Sequence, residues 1–356
     1  MPSGVNFAII ERMIVVIIAG GSGTRLWPLS THDYPKHLLK LTNDNSLLQN
    51  TFERVSELTD AKQIFVVSEA SHAHHVVEQL PAVPKENVLI EPARRGTASC
   101  FLLALDTIKK RDFDDQAIFF LWADNIIRDK RGFNSTANNA AELAEKTQRM
   151  VFIGVEPNYA STGLGYMEKG DRLQNGYKNV FELKKFVEKP DHKTAAHYFS
   201  SGNYLWNTGY LMATLNTLQR EIEANSPKLW DEYQALIASD DVEQTYLGFE
   251  PEAIDKALSE HVTDALVIPG AFDWLDIGSF HDLHGVSEQD DNGNHLNGDN
   301  IALEKVTNSY VRNEQDLPVA IIGLDNIAVV ATKNGFLVTN KTYAQKVGEI
   351  SKKFRR

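Results

Sequence analysis

An α/β fold, with a Rossmann-like doubly wound sheet followed by a small all-β module, is what this sequence predicts, and three observations carry that prediction. Residues 13–19 form a continuous, mostly β-branched run that stops at a glycine cluster, the pattern of a strand covered on both faces of a parallel sheet. Further apolar runs at 63–68, 117–122 and 151–155 are separated by helix-like stretches at 47–58, 98–109 and 137–146, so strand and helix alternate. From about Asn292 the texture changes to short β-like pieces at 300–305, 319–322, 327–331 and 335–339, set between Asn, Gly and Asp turns.

Between these regions, 166–190 has the character of strands joined by a turn. The stretch 213–261 is mostly helical, with Leu215, Leu218 and Ile222 at helical spacing. The expected organisation is an N-terminal extension at 1–12, a main domain at 13–291 and a β module at 292–356. A chain of 356 residues is too long for one small core and fits about two domains.

The charge balance is 36 Lys plus Arg against 48 Asp plus Glu, a net charge of −12. Such a field repels a phosphate polymer or an anionic membrane, so neither nucleic acid nor membrane is expected as a partner. Small anionic ligands remain compatible with it wherever a few cations cluster. Cys100 is the only cysteine, which excludes an intramolecular disulfide and a cysteine-based zinc site and points to a reducing compartment. The apolar run at 13–19 falls far short of the roughly 18 residues a membrane helix needs, and no basic leader precedes it, so a cytoplasmic location is expected.

The loop Gly20-Gly21-Ser22-Gly23-Thr24-Arg25-Leu26-Trp27-Pro28 follows the first strand directly. Glycines let backbone N–H groups approach a phosphate closely, and consecutive amides form an anion-binding nest. Two familiar glycine motifs fail on spacing. The dinucleotide pattern G-x-G-x-x-G starting at Gly21 meets Leu26 where its third glycine should stand, and no Gly-Lys pair exists for a P-loop. What remains is a glycine loop with its own cation, Arg25, and a second close behind, Lys36. A plain structural turn would need the glycines but not both cations.

Asp124 follows a strand-like run, and Asp276 lies between Trp274 and Gly278. Either alone would ordinarily be a turn or helix cap. As a pair they suit magnesium, which takes one or two carboxylates plus substrate phosphate oxygens. Glu91 can accept two parallel hydrogen bonds, matching the adjacent N1–H and N2–H donors of guanine, whereas uracil or thymine shows one N–H between two acceptors. Lys189 would project from a strand end, and Asn207 offers both a donor and an acceptor. The His72, His74 and His75 group lies on a helix-like stretch where neighbours face apart, and Cys100 reads as a core residue.

The string from Gly20 to Lys36 resembles the signature loop of the sugar-phosphate nucleotidyltransferases, and Leu26-Trp27-Pro28-Leu29-Ser30 is similar to its mannose-1-phosphate guanylyltransferase type. Further similar blocks are Glu91-Pro92-Ala93-Arg94-Arg95-Gly96-Thr97-Ala98, Trp122-Ala123-Asp124, Gly163-Leu164-Gly165-Tyr166, Phe186-Val187-Glu188-Lys189-Pro190, Trp206-Asn207-Thr208-Gly209 and Trp274-Leu275-Asp276-Ile277-Gly278-Ser279. The chain departs from the family pattern at His37, Gly96, Asn125 and Phe280.

The resemblance implies a mixed-sheet nucleotidyltransferase domain and a C-terminal module for which a left-handed β-helix is one form. It further implies transfer of GMP from GTP to mannose 1-phosphate, giving GDP-mannose and pyrophosphate, with Mg2+ as cofactor on Asp124 and Asp276. In that scheme Arg25 and Lys36 act on the phosphates. Gly20, Gly21, Ser22, Gly23, Thr24, Glu91, Gly96 and Thr97 bind the nucleotide, while Gly165, Glu188, Lys189 and Asn207 bind the sugar phosphate. A homodimer is among the assemblies it allows. Another hexose or base, or a catalytically silent regulatory homologue, are the rival readings. A fused isomerase barrel is not expected, because too little chain follows the transferase-like region.

Overall fold

The computed structural model describes residues 13–354 apart from 22, 114, 175, 176 and 178. The N-terminal extension at 1–12 and Ser22 therefore lie outside the described residues. Two compact units emerge, each discontinuous in sequence. One comprises 13–20, 51–123 and 127–274, and the other 21–50, 124–126 and 275–354.

The first unit is built on strands β1 (Met13–Ala19), β2 (Ile64–Glu69), β3 (Val88–Glu91) and β4 (Ala117–Trp122). After a two-residue strand β5 (Asn125–Ile126), which belongs to the second unit, come β6 (Met150–Val155), β7 (Tyr166–Arg172) and β8 (Phe181–Val187). Strands β9 (Tyr204–Thr214) and β10 (Ala265–Pro269) complete a nine-stranded mixed sheet in the order β3-β2-β1-β4-β9-β6-β10-β8-β7. Every residue of β1 is buried, as its unbroken apolar run requires, and it pairs in parallel with both β2 and β4.

Alternation along β4 serves both faces. Ile118 and Phe120 join the core beneath helix Gly96–Lys110, whose Phe101 stacks on Phe120 at 3.9 Å between ring centroids. Phe119 points the other way and meets Phe133 of helix Lys130–Thr147. Each such phenylalanine contributes about 1.5–3 kcal/mol by leaving water. The long strand β9, antiparallel to β4 and β6, lies at the sheet's centre. Asn207, Thr208 and Gly209 interrupt its apolar pattern, and Gly209 has φ 76° with no room for a Cβ beside the Trp122 indole.

In the second unit β5 pairs antiparallel with β11 (Leu275–Asp276). Beyond it β12 (His295–Asn297), β13 (Ile301–Glu304), β14 (Tyr310–Asn313), β15 (Val319–Ile322) and β16 (Ile327–Thr332) wind as parallel coils, with β12-β14-β16 in one ladder and β13-β15 in another, before β17 (Gly335–Asn340) turns back on β16. Asn308 and Asn326 make corners in the left-handed region, which asparagine tolerates, and their side-chain amides hydrogen-bond at 3.3 Å. The predicted β module is thus a β-helix-like stack. Its Tyr310, Val330, Leu337 and Val347 share one apolar core with Leu26, Leu29, Leu39 and Leu41 of the glycine-loop segment.

Candidate active site

The second unit gathers Arg25, Lys36, Asp124 and Asp276. Gly21 and Gly23 have φ of 86° and 54°, and a Cβ on Gly23 would fall 2.5 Å from the Lys36 Cβ, so glycine there is needed both for the turn and for the approach of Lys36. Leu26 and Leu29 bury themselves in the core described above, which pins the loop, while Ser30 Oγ donates to the Gly23 carbonyl at 2.5 Å.

Lys36 is only 7% exposed. Its Nζ donates to Asp276 Oδ1 at 2.9 Å and to the Ile277 carbonyl at 3.0 Å, and it stands 2.9 Å from Asp124 Oδ2. Those three partners match the three donors of an ammonium group. The register that pairs Asp276 with Asn125 is what brings the two aspartates, distant in sequence, to the same cation. Burial opposes the charge on Lys36, but attraction to Asp124 and then Asp276 more than compensates and lifts its pKa above the ordinary lysine value.

Arg25 lies over Gly278, where a Cβ would come within 3.2 Å of its Nη1, and that Nη1 donates to Gln345 Oε1 at 3.1 Å. Gly348 faces the Arg25 stem, and the Phe354 ring stacks on Trp27 at 5.0 Å. The segment 341–354 therefore holds the cationic loop from its side. Gln345 carried no signal in the sequence, being a lone polar residue in a short helical stretch.

Two further clusters lie in the first unit. Glu91 ends β3, 4% exposed, and its Oε1 accepts from the Tyr246 hydroxyl at 2.8 Å and from the Arg95 backbone N–H at 3.1 Å. Burial raises its pKa. Gly96, at φ 80°, packs so tightly on Glu252 that a Cβ would lie 2.1 Å from its carbonyl oxygen, and Thr97 Oγ1 accepts from the Ile254 N–H at 2.9 Å. Sequence reasoning expected a carboxylate presented to a base. Both of these donors fall on one carboxylate oxygen, which braces the 95–97 turn, because a buried carboxylate must find donors within the fold.

Glu91→Gln keeps an oxygen for both of these donors. The ranking of the four nucleoside triphosphates by kcat/KM is therefore expected to hold within about three-fold, since no donor is orphaned. A shift of ten-fold or more toward UTP or dTTP, about 1.4 kcal/mol, would instead show that Glu91 touches the base.

The other cluster joins Gly165, Glu188, Lys189 and Asn207. A Cβ on Gly165 would sit 2.6 Å from Glu188 Oε2 and 3.3 Å from the Asn207 Cβ, so glycine makes room for both side chains. Lys189 holds φ 45°, a sparsely populated conformation for a residue with a Cβ, and pairs with Glu188 while staying 61% exposed. Asn207 Oδ1 accepts from the Gly209 N–H at 2.9 Å, and its Nδ2 donates to Asp255 at 3.0 Å. Asp255 was not foreseen, since no glycine or strand end marks it in a helical texture.

Comparison with known proteins gives the chain's family. Residues 14–293 match the family described as nucleotidyl transferase, and residues 298–354 match the MannoseP isomerase/GMP-like beta-helix domain. The chain belongs to the nucleotidyl transferase family, and is accordingly an enzyme. Its relatives include the mannose-1-phosphate guanylyltransferase of Salmonella muenchen, 33% identical over 352 residues that cover 96% of this chain and 73% of the relative. The protein of the same name from Escherichia coli K12 is 33% identical over 353 residues, with 96% and 73% covered. The crystal structure of mannose-1-phosphate geranyltransferase from Thermus thermophilus superposes with a TM-score of 0.86 at 26% identity, over 96% of this chain and 99% of that one. Among the described residues no helix is long and apolar enough to cross a membrane.

Proposed function

We propose that the chain transfers GMP from GTP to mannose 1-phosphate, forming GDP-mannose and pyrophosphate. The observation that carries this reading is the buried Lys36 ammonium held between Asp124 and Asp276, with Arg25 and the glycine loop in the same unit. A sugar phosphate has a second pKa of about 6, so at neutral pH its oxygen is already a dianionic nucleophile and needs no general base. That oxygen attacks the α-phosphorus in line, a new P–O bond forms, and the bond to the β-phosphate oxygen breaks with its electron pair leaving on pyrophosphate. What the protein supplies is alignment and charge.

Arg25 and the amides of Gly20, Gly21, Gly23 and Thr24 take the triphosphate, and Lys36 balances charge at the α-phosphoryl group. Gly96 and Thr97 shape the base loop. Glu188 and Asn207 address sugar hydroxyls beside Gly165, and Lys189 takes the sugar phosphate. The donor set at Asp124 and Asp276 fits magnesium, being two hard carboxylates already arranged about one positive charge. Those two residues would hold it, and when bound it neutralises phosphate oxygens.

A pyrophosphate-release assay of four nucleoside triphosphates against several hexose 1-phosphates tests the reading. Highest kcat/KM for GTP with mannose 1-phosphate is expected. Absence of turnover with every pair would leave a silent regulatory homologue, and a different best pair would reassign the substrates. Within this scheme Lys189→Ala is expected to raise the KM for the sugar phosphate by about ten-fold or more, the worth of a charge-assisted hydrogen bond, with the KM for GTP little changed. Equal losses for both substrates would remove Lys189 from the sugar side.

A further inference from the structure

The chain from Asp255 to Ser259 forms a π-helix, a wide turn closed by the Glu260 N–H donating to the Asp255 carbonyl at 2.9 Å. Such turns are rare and occur often at functional sites. This one carries a carboxylate at each end, and both reach the cluster just assigned to the sugar phosphate. Asp255 Oδ1 accepts from Asn207 Nδ2 at 3.0 Å, and Glu260 Oε1 accepts from the Glu188 backbone N–H at 3.0 Å. Because the Gly209 N–H already holds Asn207 Oδ1 at 2.9 Å, the amide is fixed at both its oxygen and its nitrogen. One of the two N–H groups on that nitrogen serves Asp255, and the orientation of the other follows from it. In the same way Glu260 sets the backbone from which the Glu188 carboxylate springs.

We infer that the turn from Asp255 to Glu260 is a positioning element for the sugar, fixing Asn207 and Glu188 in the pose that selects one hexose hydroxyl pattern over another. The inference rests on the substrate reading given above. Asp255 and Glu260 act through the residues they hold, and neither is assigned a contact with substrate.

The state of Asp255 agrees with a role other than packing. Its carboxyl is pushed up to about 6, first by burial and then by the nearby Glu188, with Asn207 and Lys189 opposing the rise. A folded-state pKa above the unfolded value means that the folded chain binds more protons between about pH 4 and 6, so stability falls as pH rises through that window. At neutral pH an ionised Asp255 thus works against the fold. A residue kept for stability alone would serve better as the neutral isostere.

The test measures KM for mannose 1-phosphate and for GTP, and the kcat/KM ratio of mannose to glucose 1-phosphate, in the full-length enzyme. Asp255→Ala and Glu260→Ala are each expected to raise the KM for the sugar phosphate about ten-fold and to lower the hexose ratio, with the KM for GTP unchanged within about two-fold. Asp255→Asn, which keeps an acceptor for Asn207, should restore most of the sugar affinity and melt no lower than wild type at pH 8. If the alanine variant at 255 does not fold, Asp255→Leu, which removes the acceptor while filling a similar buried volume, is measured in its place.

Unchanged sugar KM and hexose ratio in an otherwise active enzyme would overturn the inference and leave the substrate reading standing. Equal rises for both substrates would overturn it too, as a purely structural effect. Wild-type enzyme that uses no hexose 1-phosphate would overturn the substrate reading, and the inference with it.

Discussion

Asp124→Asn and Asp276→Asn are each expected to lower kcat by about 10²-fold or more at saturating GTP and magnesium, because the pair is asked to supply several kcal/mol of charge organisation at the transition state. The substitutions keep side-chain volume and an oxygen near Lys36, so the folded state is retained. Each nevertheless removes one of the two negative charges that hold the Lys36 ammonium 2.9 Å from both carboxylates. The Lys36 pKa is raised by those charges against the effect of burial, so either change should also bring it down. The measurement is single-turnover pyrophosphate release, with a thermal melt of the same preparations. Turnover near the wild-type rate in either variant would remove that aspartate from the reacting centre.

The second large effect belongs to the C-terminal segment. The glycine-loop segment shares its core with Tyr310, Val330, Leu337 and Val347, while Gln345 and Phe354 hold Arg25 and Trp27. Ending the chain after Asn340 is therefore expected to cost about 10²-fold or more in kcat/KM for GTP, as the loop loses its hydrogen bond, its aromatic stack and part of its apolar floor. A graded version isolates the hydrogen bond. Gln345→Ala should raise the KM for GTP by roughly three- to ten-fold, in line with about 0.5–1.5 kcal/mol for one such bond. A truncated enzyme with wild-type KM for GTP would show that the loop holds its form unaided.

Legibility of the fold followed the strength of local patterning. Strands β1, β4 and β6 announced themselves because they are unbroken apolar runs buried on both faces, and helix Gly96–Lys110 because its buried positions are so many. Strand β9 did not, since Asn207, Thr208 and Gly209 break its pattern, and the short edge strand β3 offered too few residues. At the site, the glycine loop with its trailing cation pointed to Lys36, a strand end pointed to Asp124, and the setting between Trp274 and Gly278 pointed to Asp276. Their meeting depends on a two-residue ladder, β5 with β11, that no local pattern encodes. Glu91 was visible as a residue but not as a brace, because its partner Tyr246 comes from a distant helix. Asp255 and Gln345 were invisible for the same reason: each matters through one tertiary hydrogen bond.

The shared core of the glycine loop and the β module also dictates an order of events on the ribosome. Leu26, Leu29, Leu39 and Leu41 leave the exit tunnel early, yet most of the side chains that complete their core, from Ile277 to Val347, are made much later. Until then these leucines have no completed partner surface, and closing so long a loop is entropically slow. The nascent chain keeps its glycine-loop segment incompletely covered until those residues emerge, open to proteases and to association with neighbouring chains. A translation product that stops early would therefore be flagged by the same apolar residues that, in the finished enzyme, anchor the loop.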